Sequence, residues 1–332
     1  MVVRSVETYP RERVRHARRA LGSEPPAVTA DTPYTAYARL TLMALFWGGG
    51  LIGGRIASPE MGAVTAALWR FALAIVVLLI YAYATDRGLA RPTSREWIGL
   101  LLMGATGVFA FNLCFMYGLA LIPASRASLI MALSPAVTLL GAALFLQEHL
   151  TRNKVIGIVI ALVGVAVVLG HGNPLGVVSG SVGVGELVMF GCPLAWAVNT
   201  LLAKRMLPDM APIGSTIWSA LIGTAMLAVV AAFSGQLLAV GVSWRAWAAL
   251  VFVAIFGTAM ALVLFYDGVR CIGAARTSVF INLVPVFAVA LGVLLLGEPL
   301  EPSMLVGGAL VFGGIFLLNR PPARRGPTSH AA

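Results

Sequence analysis

Residues 115–164 read FMYGLALIPASRASLIMALSPAVTLLGAALFLQEHLTRNKVIGIVIALVG, and residues 265–314 read FYDGVRCIGAARTSVFINLVPVFAVALGVLLLGEPLEPSMLVGGALVFGG. The two stretches align without a gap, and the uncommon residues they share are Gly118 with Gly268, Arg126 with Arg276, Pro135 with Pro285, and Glu148 with Glu298. With one residue removed, the match extends upstream to Trp47 with Trp196 and Trp69 with Trp218. Apolar sequences align easily by chance, but matched Pro, Glu, Arg and Trp residues do not. The sequence therefore predicts two homologous halves.

The composition of the chain is that of a membrane protein. Hydrophobic residues make up 59% of it and charged residues only 11%, with a mean hydropathy of +0.92, whereas soluble domains carry about a quarter charged residues. A helix needs about 20 mostly apolar residues to cross a hydrocarbon core of roughly 30 Å. We predict ten transmembrane helices, at 40–57, 62–84, 96–118, 124–147, 153–170, 183–203, 212–234, 245–267, 275–297 and 303–319. The fold class predicted is thus an all-α membrane protein.

The positions of Lys and Arg predict how these helices are oriented. If the N-terminus is cytoplasmic, all but four of the 23 Lys and Arg residues lie on inner segments, as expected for cytoplasmic loops. Both termini are then cytoplasmic, in a multi-pass protein of a bacterial cytoplasmic membrane. With five spans per half, the second half crosses in the opposite direction. Such inverted repeats place a substrate site near the midplane, between the halves, and can expose it to each side alternately.

The chain is predicted to comprise four segments. They are a basic, disordered cytoplasmic tail at 1–39, a first five-helix repeat at 40–170, a second at 171–320, and a cytoplasmic tail at 321–332. The formal net charge of +10 is scattered between spans, so it predicts no nucleic-acid partner. The chain has three cysteines, in no CxxC pattern, and it has neither HExxH nor a Walker A motif. We therefore expect no metal, no cofactor and no enzymatic activity.

The motifs of the two halves resemble those of the drug/metabolite transporter superfamily, specifically its ten-helix EamA type. The resembling segments are Leu45-Phe46-Trp47-Gly48, Arg70-Phe71, Ser134-Pro135, Gln147-Glu148, Leu194-Ala195-Trp196-Ala197, Val284-Pro285 and Gly297-Glu298-Pro299. Each motif is weak alone, but their order, spacing and duplication over residues 40–320 are specific. The resemblance implies movement of small metabolites, often amino acids or related compounds and frequently outward, across the cytoplasmic membrane.

Several residues inside the predicted spans are candidates for binding a solute. Arg70 is the one cation well inside a span and is expected to pair with a substrate carboxylate. The other candidates are the cavity-lining aromatic residues Trp47, Tyr117 and Trp196, and the polar residues Asn112, Asn199 and Asn282. Pro135 and Pro285 each remove a backbone donor in mid-span, so they predict kinks that shape or gate the cavity.

These assignments have structural alternatives, which the sequence leaves open. The tryptophans can be ordinary packing residues, the prolines fixed kinks, and Arg70 a tie between helices. No carboxylate lies deep in a span, so proton coupling, for which Glu186 and Asp267 are candidates, and facilitated transport both remain open. A homodimer through spans 5 and 10 is also open.

Transport of a small amphipathic metabolite, with export as the expected direction, is the predicted function. Its partners would be the small-molecule substrate and the lipid bilayer. The nearest alternative is efflux of lipophilic drugs. An intramembrane lipid-modifying enzyme lacks the expected catalytic residues, and a scaffold or receptor leaves the inverted duplication unexplained.

Overall fold

The computed structural model of the protein describes residues 33–85, 89, 91–147, 150–177, 182–207 and 210–318. The predicted tails therefore fall outside the described residues up to residue 32 and from residue 319 onward, as does Glu148.

The described part of the chain forms ten apolar helices, which confirms the predicted fold class. They are α1 (Pro33–Met61), α2 (Ala63–Ala84), α3 (Ser94–Leu121), α4 (Ala124–Leu146), α5 (Arg152–Leu169), α6 (Val184–Met206), α7 (Pro212–Phe233), α8 (Trp244–Ile272), α9 (274–296) and α10 (Pro302–Leu318). A short 3-10 helix, Pro174–Val177, lies between α5 and α6. Among the described residues, nine helices are long and apolar enough to cross a membrane, and α10, with 17 residues, is about 25 Å long.

The first helix begins earlier than the sequence predicts, at Pro33 instead of residue 40. Proline suits the first turn of a helix because its missing N–H would have no partner there. The added turn packs against the second half, since the ring of Tyr37 stacks on that of Phe280 with centroids 5.6 Å apart. Residues 33–39, which the sequence assigned to the tail, are therefore part of α1.

Local side-chain and backbone features fix where several helices begin and end. The Glu96 carboxylate accepts hydrogen bonds from the Thr93 backbone N–H and hydroxyl, at 2.7 and 2.9 Å, which caps α3. Equivalent left-handed residues end α4 and α9, namely Gln147 (φ 54°) and Gly297 (φ 64°). Such residues satisfy the last helical carbonyls, as the Gln147 N–H does by donating to the Ala142 carbonyl.

The contact between α5 and α10 demonstrates the inversion of the two halves. Gly157 of α5 lies against Gly314 of α10, and Gly164 lies against Gly307. The residue numbers run in opposite directions, so these equivalent helices are antiparallel. The glycines let the two backbones touch, as small residues do at membrane helix interfaces.

The two halves are interlocked rather than placed side by side. Helix α1 packs on α8 and α9 of the second half, and α6 packs on α3 and α4 of the first half. The first helix of each half, α1 or α6, thus packs among the helices of the opposite half. Movement of one half against the other must therefore involve α1 and α6.

Helices α3 and α8 each contain a π-helical segment at the same place in the repeat. The segments are Gly104–Ala110 and Ile255–Met260, and each contains one of the matched glycines, Gly107 and Gly257. Gly257 faces Gly50 of α1, whereas Gly107 faces the side chain of Asn199 in α6. In the upstream register Gly50 matches Asn199. Each π segment therefore packs on the first helix of the opposite half, at one equivalent point.

Helices α4 and α9 are both interrupted near their matched prolines. The segments of α4 are Ala124–Met131 and Ser134–Leu146, with Pro135 in the first turn of the second. Those of α9 are Ala274–Ile281 and Leu283–Leu296, joined at Asn282. Proline lacks an N–H donor, so the break falls just before it. Both interruptions lie where the sequence predicts kinks, and the role of the two prolines in shaping or gating the cavity stays a prediction.

We predict that Gly314→Ala destabilises the protein. A Cβ at this position would lie 2.7 Å from the Ala161 backbone N and against the Gly157 carbonyl, so α5 and α10 must move apart. Overpacking of this kind costs about 1–3 kcal/mol. The midpoint of thermal unfolding in detergent should fall.

The neighbouring Gly313→Ala is a matched control, because a Cβ there meets no atom within 4 Å. Its unfolding midpoint should equal or exceed that of the unmodified protein. Equal midpoints for the two variants would contradict the close contact between α5 and α10.

Candidate functional site

A buried guanidinium lies between the two halves of the protein. Arg70 of α2 is only 8% exposed. Its Nε–H donates to the hydroxyl of Thr258 in α8 at 2.9 Å, and its Nη1 donates to the amide oxygen of Asn112 in α3 at 3.0 Å. The ring centroids of Phe115 and Phe71 lie 4.8 and 5.6 Å from its guanidinium carbon, within cation–π range. We call Arg70, Asn112 and Thr258 the central polar cluster.

The polar partners of Arg70 lie in one π segment and directly after the other. Thr258 is in the segment of α8, and its hydroxyl donates to the carbonyl of Val253 at 2.8 Å, five residues earlier and just before that segment. The Asn112 amide follows the α3 segment and donates to the carbonyl of Val108 at 2.6 Å. Each partner is thus held by its own helix while it accepts a hydrogen bond from Arg70. π segments often occur at functional sites, and here they aim two acceptors at one cation.

The central polar cluster lies well inside the helices rather than at their ends. Arg70 is the eighth of 22 residues in α2, and Thr258 stands near the middle of the 29-residue α8. A cation at this depth is costly in hydrocarbon unless the protein satisfies it. The structure supplies those partners from both halves.

Two of the predicted site residues face α3 from α6. The Trp196 ring is 6.0 Å from that of Phe111, centroid to centroid, and Trp196 is 38% exposed. Asn199 lies against Gly107 in the π segment of α3. Both residues therefore sit along the same contact between α6 and α3, next to the helix that carries Asn112.

The remaining predicted residues lie farther from Arg70. Trp47 is half-buried, with its ring 5.8 Å from that of Phe265. Tyr117, 47% exposed, lines a pocket of about 340 Å³ at the ends of α1, α2 and α7. Among the described residues, neither Tyr117 nor Asn282 has a hydrogen bond to the central polar cluster. Arg70 and Asn112 are the two predicted site residues in direct contact.

Sequence reasoning did not single out Thr258, although one signal for it exists. Thr258 matches Val108 in the first half, just as Arg70 matches Ser219 in the second. The Ser219 hydroxyl bonds within its own helix, to the carbonyl of Thr216. At both positions one half of the chain carries a polar residue of the cluster, and the equivalent position in the other half carries an apolar or smaller residue. Such differences between the halves are the sequence signal for this cluster.

A second polar cluster lies at the predicted outer end of the bundle, where α3 meets α4 and α5 leads to α6. Arg126 Nη1 is 3.0 Å from Glu186 Oε1, and Arg126 Nη2 is 3.6 Å from Glu301 Oε1. His171 bridges them, with Nε2 at 3.1 Å from Arg126 Nη2 and Nδ1 at 2.9 Å from Glu301 Oε2. A tautomer protonated on Nδ1 satisfies both contacts. We call these four residues the outer ion cluster.

The outer ion cluster joins the first half to the second. Arg126 begins α4 in the first half, whereas Glu186 begins α6 and Glu301 precedes α10 in the second. Arg126 and Glu186 are buried, but Arg276, the equivalent of Arg126, is exposed at the opposite end. This ionic connection is therefore not repeated by symmetry at Arg276.

Glu298 adds another connection at the same end. Its carboxylate accepts hydrogen bonds from the backbone N–H groups of Ala124 and Ser125, at 2.7 and 2.9 Å. A carboxylate at a helix N-terminus caps free donors and complements the helix dipole. Glu298, which follows α9, therefore joins the second half to the start of α4 in the first half.

The surroundings of Glu301 favour its charged form. Desolvation acts to raise the pKa of this carboxyl, but hydrogen bonds from Ser303 and His171 and the positive charge of Arg126 outweigh it. The pKa of Glu301 therefore lies below its usual value.

Within the described residues, no group of three or more His, Cys, Asp or Glu side chains is arranged to hold a metal ion.

The model of the EamA-like transporter family matches residues 35–170 and again residues 183–320. The chain belongs to the EamA-like transporter family. It is therefore a member of the drug/metabolite transporter superfamily and a transporter rather than an enzyme. The two matches also confirm the two repeats that the sequence predicts.

Similar transporters occur in several bacteria. The uncharacterized transporter YyaM of Bacillus subtilis (strain 168) is 30% identical over 252 residues, which cover 76% of this chain and 82% of YyaM. A probable terminal-alkyne amino-acid exporter of Streptantibioticus cattleyicolor is 29% identical over 282 residues, covering 85% and 92%. A solved crystal structure aligns with a TM-score of 0.60 at 18% identity, covering 86% of this chain and 98% of the solved one; it supports the fold alone.

We predict that Arg126→Met destabilises this EamA transporter more than the double change Arg126→Met with Glu186→Leu. The single change leaves a buried carboxylate without its cation, which costs about 3–5 kcal/mol, whereas apolar replacement of both partners is close to neutral. Thermal unfolding in detergent measures the difference. Arg152→Met, at an exposed position in α5, is the control, and a midpoint for Arg126→Met equal to this control would contradict the prediction.

We also predict that the stabilising contribution of Glu301 disappears in acid. Its pKa is lowered in the folded protein, so the contribution is present above the unfolded value of about 4.3 and is lost as pH falls through the folded pKa. The difference in unfolding midpoint between the unmodified protein and Glu301→Gln should therefore shrink from pH 7 to pH 3.5. A difference that stays constant or grows in acid would be the opposite result.

Proposed function

We propose that this EamA-family transporter exports small amphipathic metabolites that carry a carboxylate, amino acids or related compounds, by alternating access. The observation that carries the proposal is the buried Arg70 guanidinium between the two halves. An ionised group inside a membrane protein marks a substrate or ion pathway by default. A guanidinium fork also matches the two oxygens of a carboxylate.

Arg70 keeps donors for a ligand after making its bonds to the protein. A guanidinium has five N–H groups, and the bonds to Thr258 and Asn112 use one on Nε and one on Nη1. A substrate carboxylate would take the donors of the terminal nitrogens. It would also compensate the positive charge, which neither a hydroxyl nor an amide oxygen neutralises.

The rest of the proposed site suits the other parts of such a solute. We assign its polar contacts to Asn112, Asn199 and Asn282, and its apolar lining to Trp47, Trp196 and Tyr117. Indole faces bind apolar groups and can also attract an ammonium group, so one surface serves both the side chain and the amine of an amino acid.

Alternating access would use the asymmetry between the two ends. The outer ion cluster and the Glu298 cap tie the halves together at the predicted outer end, so release to the outside requires these contacts to separate. Pro135 and Pro285 would act as gates where α4 and α9 are interrupted. Glu186 is then a candidate for proton coupling, because its charge holds the buried pair together.

The direction of transport and the membrane location are supported by other observations than the buried Arg70. A relative from Streptantibioticus cattleyicolor bears the name probable terminal-alkyne amino-acid exporter, which supports export of amino-acid-like compounds. The Lys and Arg distribution supports both termini on the cytoplasmic side, and the bacterial relatives support a bacterial cytoplasmic membrane. Efflux of hydrophobic cations is the competing function, and the buried charge of Arg70 disfavours it because like charges repel.

We predict that Arg70→Met lowers transport at least tenfold while the amount of folded protein changes much less. Methionine retains an unbranched apolar stem but lacks the guanidinium and therefore has no donors for a carboxylate. The measurement is counterflow into proteoliposomes loaded with a pool of the twenty protein amino acids, with and without a pH gradient.

Arg245→Met, which removes an exposed arginine at the start of α8, serves as the control and should transport normally. Equal losses of transport and of folded protein in Arg70→Met would make Arg70 a folding residue. No exchange of any amino acid by well-folded unmodified protein would overturn the proposed function in favour of drug efflux.

A further inference from the structure

The hydroxyl of Thr258 both donates and accepts a hydrogen bond. It is 3% exposed; it accepts a hydrogen bond from Arg70 Nε at 2.9 Å and donates its hydrogen to the Val253 carbonyl at 2.8 Å. A hydroxyl has one hydrogen to donate, so the bond to Val253 leaves only its lone pairs for Arg70. Thr258 is therefore a fixed acceptor, oriented by the π segment of α8.

This fixed acceptor limits how Arg70 can meet an anion. A carboxylate can bind a guanidinium side-on, through Nε and Nη2, or end-on, through the two terminal nitrogens. Thr258 occupies Nε and thereby excludes the side-on mode. Asn112 accepts one hydrogen of Nη1, so the donors left for a carboxylate are the two hydrogens of Nη2 and the second hydrogen of Nη1.

We propose that Thr258 is a positioning residue that presents the terminal nitrogens of Arg70 to the substrate carboxylate and so sets the preference for carboxylate-bearing solutes. This inference rests on the proposed function, because it assigns a role within the same site. The hydroxyl comes from the second half, whereas Arg70 comes from the first. The geometry of the anion site therefore depends on how the halves are packed together, which makes carboxylate affinity sensitive to their movement.

The repeat shows that this role is specific to one half. The position equivalent to Thr258 is Val108, which has no hydroxyl, and the position equivalent to Arg70 is Ser219. Thr106, in the π segment of α3, has a hydroxyl but donates it to its own helix, to the Leu102 carbonyl. The two threonines thus differ in whether their hydroxyl reaches Arg70.

The test uses two substitutions at one position. Thr258→Val keeps the shape of the side chain and removes the hydroxyl, and Thr258→Ser keeps the hydroxyl and removes a methyl group. The substrate is the amino acid with the fastest counterflow from the pool of twenty, and the comparison compound is its primary amide, which keeps the amine and side chain but lacks the carboxylate.

We expect Thr258→Val to raise the half-saturating concentration of the amino acid by about tenfold, the size expected when a hydrogen bond to a charged group is lost. The value for the amide should change less than twofold. Thr258→Ser should behave like the unmodified protein. Thr106→Val, which removes the hydroxyl that does not reach Arg70, should also transport normally.

The outcomes separate this inference from the proposed function. If the unmodified protein exchanges an amino acid and Thr258→Val leaves its half-saturation unchanged, the positioning role is overturned while the proposed function stands. If Thr258→Val weakens amino acid and amide equally, or if Thr258→Ser fails to restore transport, Thr258 acts only in folding and the inference is wrong. If the unmodified protein exchanges no amino acid, the proposed function and the inference fail together.

Discussion

A guanidinium inside hydrocarbon must find its hydrogen-bond partners within the protein, and the arrangement around Arg70 follows from this constraint. The first half of the chain supplies the cation and the amide of Asn112, and the second half supplies the hydroxyl of Thr258. These bonds bring α2, α3 and α8 to one point between the halves. Thr258 lies in the π segment of α8 and Asn112 directly follows the equivalent segment of α3, so the irregular parts of both helices lie beside the same centre.

Duplication builds the scaffold of this protein, and departures from it build the polar sites. Equivalent glycines allow α5 to pack closely against α10, and the equivalent helices α1 and α6 each pack on helices of the opposite half. The polar groups occupy positions where the halves differ, as in Arg70 with Ser219, or Asn199 with Gly50. The outer ion cluster follows the same rule, since the equivalent of its arginine is exposed. A scaffold of two equivalent halves can thus carry polar residues that are not equivalent, with ionic contacts between the halves at the predicted outer end.

Most of the fold could be predicted from the sequence, because apolar length, Lys and Arg placement and the matched Pro and Gly residues report directly on spans and repeats. The start of α1 was missed, since a short polar-aromatic turn lacks a hydropathy signal. The π segments were also missed, because their register depends on side-chain bonds such as that of Thr258 to Val253. Arg70 and Asn112 were found as separate candidates, whereas the pairing of Arg126 with Glu186 joins residues far apart in the chain.

The central claim is that a substrate carboxylate binds Arg70 between the two halves. An experimental structure of the transporter in a lipid environment, with its transported amino acid bound, tests this most directly. We expect carboxylate oxygens at about 2.7–2.9 Å from the terminal nitrogens of Arg70, with Nε still bonded to Thr258. A carboxylate held elsewhere, with the bonds of Arg70 to Thr258 and Asn112 unchanged and no ligand beside it, would contradict the claim and leave Arg70 as a tie between helices.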